Sequence, residues 1–244
     1  MSSGVCSEKE NYFVQVQGED FIVKEKPYHF LGTNMWYGPL LGMKAETGNR
    51  ERLNKELDLL ISIGINNLRI MGASEGTMYD NTVQPAFQPR LGEYDENVLI
   101  GLDFLLSEME KRDMKAVIYL GNFWIWTGGF AQYVGWITGE KVPNPFLPEY
   151  NWDQFINFSS SFYSNKEAVE AYNNYVTMLI NRKNTITGIN YKYDPTIMSW
   201  QLANEPRPGR GEIGRKNFKA FSEWIENTAK LIKAMDSKHL ISTG

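Results

Sequence analysis

Short apolar runs alternate with amphipathic stretches four times along this chain. "YHFLGTN" precedes "NRERLNKELDLLISIG", where Leu53, Leu57, Leu60 and Ile61 recur at helical spacing and Gly64 stands where a C-cap glycine belongs. "NNLRIM" precedes "DENVLIGLDFLLSEMEKRDMK", with Asp95 as N-cap and Leu102, Leu106 and Met109 on one stripe. "KAVIYLGN" is the third run. A segment from Phe123 to about Ser164, rich in Trp, Tyr, Gly and Pro, follows it and is too long for mere connection. Ser164 and Glu167 have capping-box spacing ahead of the helix "NKEAVEAYNNYVTMLINR". "TIMSWQLAN" then precedes "RKNFKAFSEWIENTAKLIKAMD", which turns Phe218, Phe221, Ile225 and Ile232 inward, and "KHLISTG" begins a fifth strand.

Strands apolar along most of their length, alternating with helices, demand a parallel sheet covered by those helices. A (β/α) barrel and an open doubly wound sheet both satisfy that demand. The polar residues favour the barrel. Asn34, Arg69, Asn122 and the pair Asn204 and Glu205 fall at the C-terminal ends of successive strands, where a barrel collects its reactive groups around one mouth. An open sheet gathers its ligand at one switch point. Ahead of the first unit, "FVQVQGEDFIVKEKPYHF" alternates on both sides of a Gly18 turn and reads as a β-hairpin. Residues 1–11 read as a disordered tail and 12–244 as one domain.

Composition removes several function classes. The formal net charge is −4 with both signs mixed along the chain, so no basic stripe exists to hold a nucleic acid. No apolar run is long enough to span a membrane. One cysteine, Cys6, and two histidines, His29 and His239, leave no metal cluster and no disulfide framework, and no cofactor is expected. "GRGEIG" fits G-x-G-x-x-G at Gly209, Gly211 and Gly214, but "NEPRP" separates it from the strand, so a rim loop is the better account than a dinucleotide site.

Glu205 at a strand end is the residue with the most chemistry. A barrel wall that limits its solvation would disfavour the charged form and let it hold a proton for a departing glycosidic oxygen. Asn204 beside it can hydrogen-bond a sugar hydroxyl, and Pro206 stiffens the turn. Rings in loops near strand ends offer flat apolar surfaces on which flat ligands can stack; aromatic residues make up 14% of the chain.

"WQLANEPR", "NNLRI" and "FLGTNMWYG" resemble the fourth-, second- and first-strand motifs of glycoside hydrolase family 5, and within it those of the endo-β-1,4-mannanases. The resemblance covers nearly the whole chain from Phe13 onward and implies a (β/α)8 barrel. It implies that Glu205 is the acid/base, that Asn204 meets the sugar 2-hydroxyl, and that Arg69 keeps the nucleophile ionised. It further implies that Arg207 contacts sugar on the leaving-group side and that Trp124 is the third-strand tryptophan of the cleft, with Trp36 and Tyr37 lining the opposite subsites and Asn122 and Trp126 near substrate. The family carries its nucleophile after strand seven, whereas five strands are legible here. The expectation is therefore a barrel truncated after about five strands that carries the acid/base without the nucleophile, either self-associating or completed by a C-terminal half. The substrate expected is mannan, glucomannan or galactomannan, hydrolysed with retention. The alternatives are a β-1,4-glucanase and a non-catalytic half-barrel that grips polysaccharide. The polymeric substrate places the protein outside the cell or on its surface.

Overall fold

The computed structural model describes residues 12–244 except 45, 47 and 77–80; the expected tail and Cys6 lie outside the described residues. Five strands form one parallel sheet in sequence order, β4 (Leu31–Asn34), β5 (Ile65–Met71), β6 (Lys115–Tyr119), β7 (Ile197–Gln201) and β8 (Leu240–Ser242). β1 (Gln15–Gln17), β2 (Asp20–Val23) and β3 (Lys26–Pro27) form a separate antiparallel meander, so the expected hairpin gains a short third strand. Phe13 is buried beside β1 and meets the His239 ring edge-on at 5.0 Å, just ahead of β8. The Lys115 ammonium, at the start of β6, donates to the Tyr12 and Pro195 carbonyls. The meander thus closes the N-terminal end of the sheet, opposite the rim that carries the polar residues.

The helices follow from capping and periodicity as expected at most ends. α1 (Gly38–Gly42) is a short turn after β4, and α2 (Arg50–Ser62) begins where the Asn49 side chain accepts from the Arg52 N–H. Gly64 takes φ +88° just after α2. α3 (Glu96–Glu110) is capped by Asp95, which accepts from the Asn97 N–H at 2.8 Å. Two helices were not legible in the aromatic segment: α4 (Gly129–Thr138) and α5 (Trp152–Ser160), the latter with a capping box built on Asn151 and Gln154. α6 (Lys166–Asn181) is capped by Asn165 instead of Ser164, because Ser164 closes a preceding 3-10 turn and only Asn165 leaves its oxygen free for the Ala168 N–H. α7 (Gly211–Met235) completes the set.

The three central strands are largely buried, but β4 and β8 are not: Leu31 is 58% exposed, and none of β8 is fully buried. Each lies at an edge of the five-stranded sheet, where one row of backbone donors and acceptors has no strand beside it among the described residues. On α7 the inward stripe is Gly214, Trp224, Thr228 and Ile232, with Phe221 and Ile225 partly covered. Phe218, expected inside, is 60% exposed. A helix of 25 residues extends about 37 Å, about twice the length of the five-residue strand it follows, so part of its apolar face runs past the core. No helix among the described residues is long and apolar enough to cross a membrane.

One charged cluster ties the outer layer together. Asp103 of α3, fully buried, accepts from Arg182 through Nε and an η nitrogen, from the Tyr191 hydroxyl and from the N–H and hydroxyl of Thr185. Arg182 also reaches Glu96. Removing one partner of a buried ion pair leaves the other uncompensated. Asp103→Ala is accordingly expected to lower unfolding stability by about 3–5 kcal/mol, measured by urea denaturation.

Candidate active site

Parallel pairing sets Asn34 of β4 opposite Arg69 of β5, and Tyr119 of β6 opposite Gln201 of β7. A bridge between Asn122 and Asn204 extends the β6 and β7 pairing past the strand ends. Arg69 spans this rim. Its Nε–H donates to Gln201 Oε1 (2.6 Å), one η nitrogen to Asn204 Oδ1 (2.9 Å) and the other to Asn34 Oδ1 (3.3 Å). The guanidinium lies 4.7 Å from the Tyr119 ring centroid. Burial pushes its pKa down, with Tyr119 and Glu205 opposing, and a guanidinium so placed keeps its charge.

The Asn204 amide is held at both ends, accepting from Arg69 and donating to Asn122 Oδ1 at 3.0 Å. Asn122 is fully buried: its oxygen also accepts the Trp124 N–H and its nitrogen donates to Thr127 Oγ1. That overturns its expected place against substrate. Asn122 has no open surface and serves to orient Asn204 and the turn that carries Trp124.

Glu205 stands at φ +48°, a left-handed conformation costly for a side chain with a Cβ and tighter still before Pro206. Such a backbone persists where surrounding structure fixes it, and it is enriched at functional sites. The carboxylate accepts from the Trp124 indole N–H (2.8 Å) and from an Arg207 η nitrogen (2.9 Å), both at Oε2. Arg207 in turn lies 4.7 Å from the Trp124 ring centroid. The Glu205 side chain is 56% exposed in this chain, where it stands on the rim above the sheet. Asn204 immediately precedes it in sequence but bonds elsewhere, and Arg69 acts on it only through its field.

Trp124 continues into an aromatic row: Phe155 stacks on it at 6.3 Å, Trp152 meets it edge-on at 5.8 Å, and Phe146 meets Trp152 at 5.4 Å. On the other side, Trp36 is 42% exposed and contacts Trp126 at 6.0 Å. Tyr37 does not line this opening. Its hydroxyl donates to Glu56 on α2 and its ring lies under Arg52, so the outer helix claims it. Sequence reasoning missed Gln201, Thr127, Trp152 and Phe155. Gln201, last in β7, carried a readable signal as a polar strand end, whereas the others depend on how the long aromatic segment folds back.

The family model described as GH family 5 beta-mannosidase-like matches residues 11–244. The chain belongs to this glycoside hydrolase family. It is 33% identical over 232 residues to mannan endo-1,4-beta-mannosidase 5 of Solanum lycopersicum, covering 95% of this chain and 50% of that protein. The family 5 mannosidase from Rhizomucor miehei has the same fold over 96% of this chain and 56% of its own, with TM-score 0.87 and 38% identity. The endo-1,4-beta-mannanase of Rhizomucor miehei matches with TM-score 0.74 and 26% identity over 95% of this chain and 60% of its own. The chain spans about half the length of the curated relatives it matches. The parallel sheet and its helices correspond to about half of the barrels of these structural neighbours.

The left-handed backbone at Glu205 yields a direct test. Elsewhere outside helices alanine is usually the more stable choice over glycine, by up to about 1 kcal/mol, because it restricts the unfolded chain. At this position the order is expected to invert, with Glu205→Gly melting above Glu205→Ala in parallel thermal scans.

Proposed function

We propose that this chain supplies the acid/base half of a retaining endo-β-1,4-mannanase acting on mannan, glucomannan or galactomannan. The observation that carries this reading is Glu205 in a strained turn at the end of β7, facing solvent between Trp124 and Arg207 beside a rigidly held Asn204. Glu205 would protonate the glycosidic oxygen as the bond to the anomeric carbon breaks, then take a proton from the water that releases the glycosyl intermediate. Asn204 keeps a free amide hydrogen and a lone pair for a sugar hydroxyl, because each end of its amide is used once within the protein. Retention requires a second carboxylate roughly 5 Å from the first. We place that nucleophile on a strand beyond the five here, with Arg69 keeping it ionised. The edges of β4 and β8 are where further strands, or a complementing polypeptide, would pair. Polymeric mannan lies outside cells, and we place the protein there or at the cell surface.

One observation favours a second reading. Identity to the Rhizomucor miehei mannosidase, 38%, exceeds the 26% to the endo-mannanase from that organism, so release of single mannose units is the alternative. Mannohexaose digestion separates the two: internal cleavage gives mannobiose to mannotetraose first, whereas the alternative gives mannose and mannopentaose first.

Assayed on mannan, the chain alone is expected to turn over negligibly, and activity should appear when it is joined to the remaining strands. In that assembled form Glu205→Gln should lower kcat by about 10²–10⁴-fold while leaving mannan binding in place. Full hydrolysis by the isolated monomer, or by the Gln variant, would sink the assignment.

A further inference from the structure

The mechanism above does not use Glu75, which follows β5 and is 2% exposed. It sits directly beneath the turn that carries Trp124. Its main-chain N–H donates to the Thr127 carbonyl (2.6 Å), and its Oε2 accepts the Gly129 N–H at the start of α4 (2.9 Å). The turn is pressed onto it: a Cβ at Gly128 would stand 2.0 Å from the Glu75 carbonyl oxygen, and one at Gly129 would stand 2.3 Å from the Asn122 carbonyl oxygen. Both glycines also hold positive φ, +85° and +62°, so no other residue fits this close passage without moving the chain.

From this clamp the connections lead outward to the reactive rim. Thr127, fixed through its carbonyl, accepts the Asn122 side-chain amide at its hydroxyl. Asn122 then accepts both the Trp124 N–H and the Asn204 amide, and the Trp124 indole donates to Glu205. We propose that Glu75 is the positioning residue for the acid/base: by clamping Thr127 and Gly129 it fixes Asn122, and through Asn122 the indole of Trp124 and the amide of Asn204. It touches neither Glu205 nor the opening. The proposal rests on Glu205 and Asn204 acting on sugar, but the clamp itself can be tested without sugar.

Two further observations indicate which protonation state makes the clamp. Oε1 of Glu75 is buried without a hydrogen-bond partner among the described residues, and so is the side-chain nitrogen of Gln132, which lies against neighbouring Gly76. The ionisable groups that sense its charge are tyrosines: Tyr119 from β6, Tyr133 from α4, and Tyr172 and Tyr175 from α6. Burial pushes the Glu75 carboxyl up to about 8, with the Gly129 N–H pulling the other way. The closed clamp therefore holds a proton that an opened, solvated Glu75 releases. Closure is fully supported below the ordinary carboxylate range. It weakens as pH rises toward about 8 and changes no further above that.

Amide hydrogen exchange of the 122–130 segment, measured from pH 5 to 8 and corrected for intrinsic rates, tests this. The wild-type protection factor is expected to fall about tenfold per pH unit, the equivalent of one pKa unit of linkage. Glu75→Gln keeps an acceptor for the Gly129 N–H but cannot ionise, and should keep its protection flat across that range. Glu75→Ala keeps the main-chain bond to Thr127 but loses the acceptor for the Gly129 N–H, and should lose protection at Gly129 and its neighbours at every pH. A pH slope that persists in Glu75→Gln overturns the proposal, and so does undiminished protection in Glu75→Ala. If Glu75→Ala does not fold, the wild-type and Gln slopes still decide. A second arm titrates mannohexaose in the form joined to the remaining strands: affinity kept by Glu75→Gln and weakened at least tenfold by Glu75→Ala is expected. Should wild type bind no mannohexaose, the sugar reading falls while the exchange arm still decides the clamp.

Discussion

Parallel pairing from β4 to β8 brings five C-terminal strand ends to one rim, and the polar chemistry of the molecule depends on that alignment. Asn34, Arg69, Gln201 and Asn204 are up to 170 residues apart in sequence, yet one guanidinium bonds three of them because the strand register stacks them at neighbouring heights. The opposite end carries a separate buried pair, with His239 Nδ1 2.6 Å from Asp236 Oδ2. It is closed by the meander and by Lys115, which satisfies two carbonyls. The central strands are buried and need apolar side chains on both faces, so their ends are where polar residues can stand without an unpaired group in the core.

Around that rim, rigidity and exposure are divided between residues. Asn122 and Glu75 are buried and bonded, and hold position. Glu205, Arg207 and Trp152 are open and face solvent. Glu205 reconciles the two by taking a backbone conformation that costs about 1–3 kcal/mol, maintained by the Asn122 and Asn204 bridge before it and by the Trp124 and Arg207 hydrogen bonds to its carboxylate. A carboxylate aimed by its backbone in this way needs little from its own rotamer.

The alternation of strand and helix was legible because each element is long enough to show its period, and Asn34, Arg69, Asn204 and Glu205 were legible as polar residues ending apolar runs. Asp95 and Gly64 were readable from local capping chemistry. The segment from Phe123 to Ser164 was not, since its helices are short, α4 begins on two glycines, and prolines and glycines punctuate the stretch between α4 and α5. Tyr37 and Trp36 are neighbours in sequence, yet one is claimed by Glu56 on α2 while the other faces the opening. Adjacent residues on a turn point in different directions, and only the packed helix decides which side is taken.

Sequence by itself determined the parallel α/β architecture, the order of its elements and the identity of the carboxylate on the rim, because these follow from periodicity and residue type within a dozen neighbours. Tertiary structure alone decided that Glu205 would meet Trp124 and Arg207 on the rim, that Asn122 would be an internal brace, and that Glu75 would lie under the Trp124 turn. Each of those outcomes is a matter of burial and distance between residues remote in the chain, and burial exists only once the strands have been brought side by side.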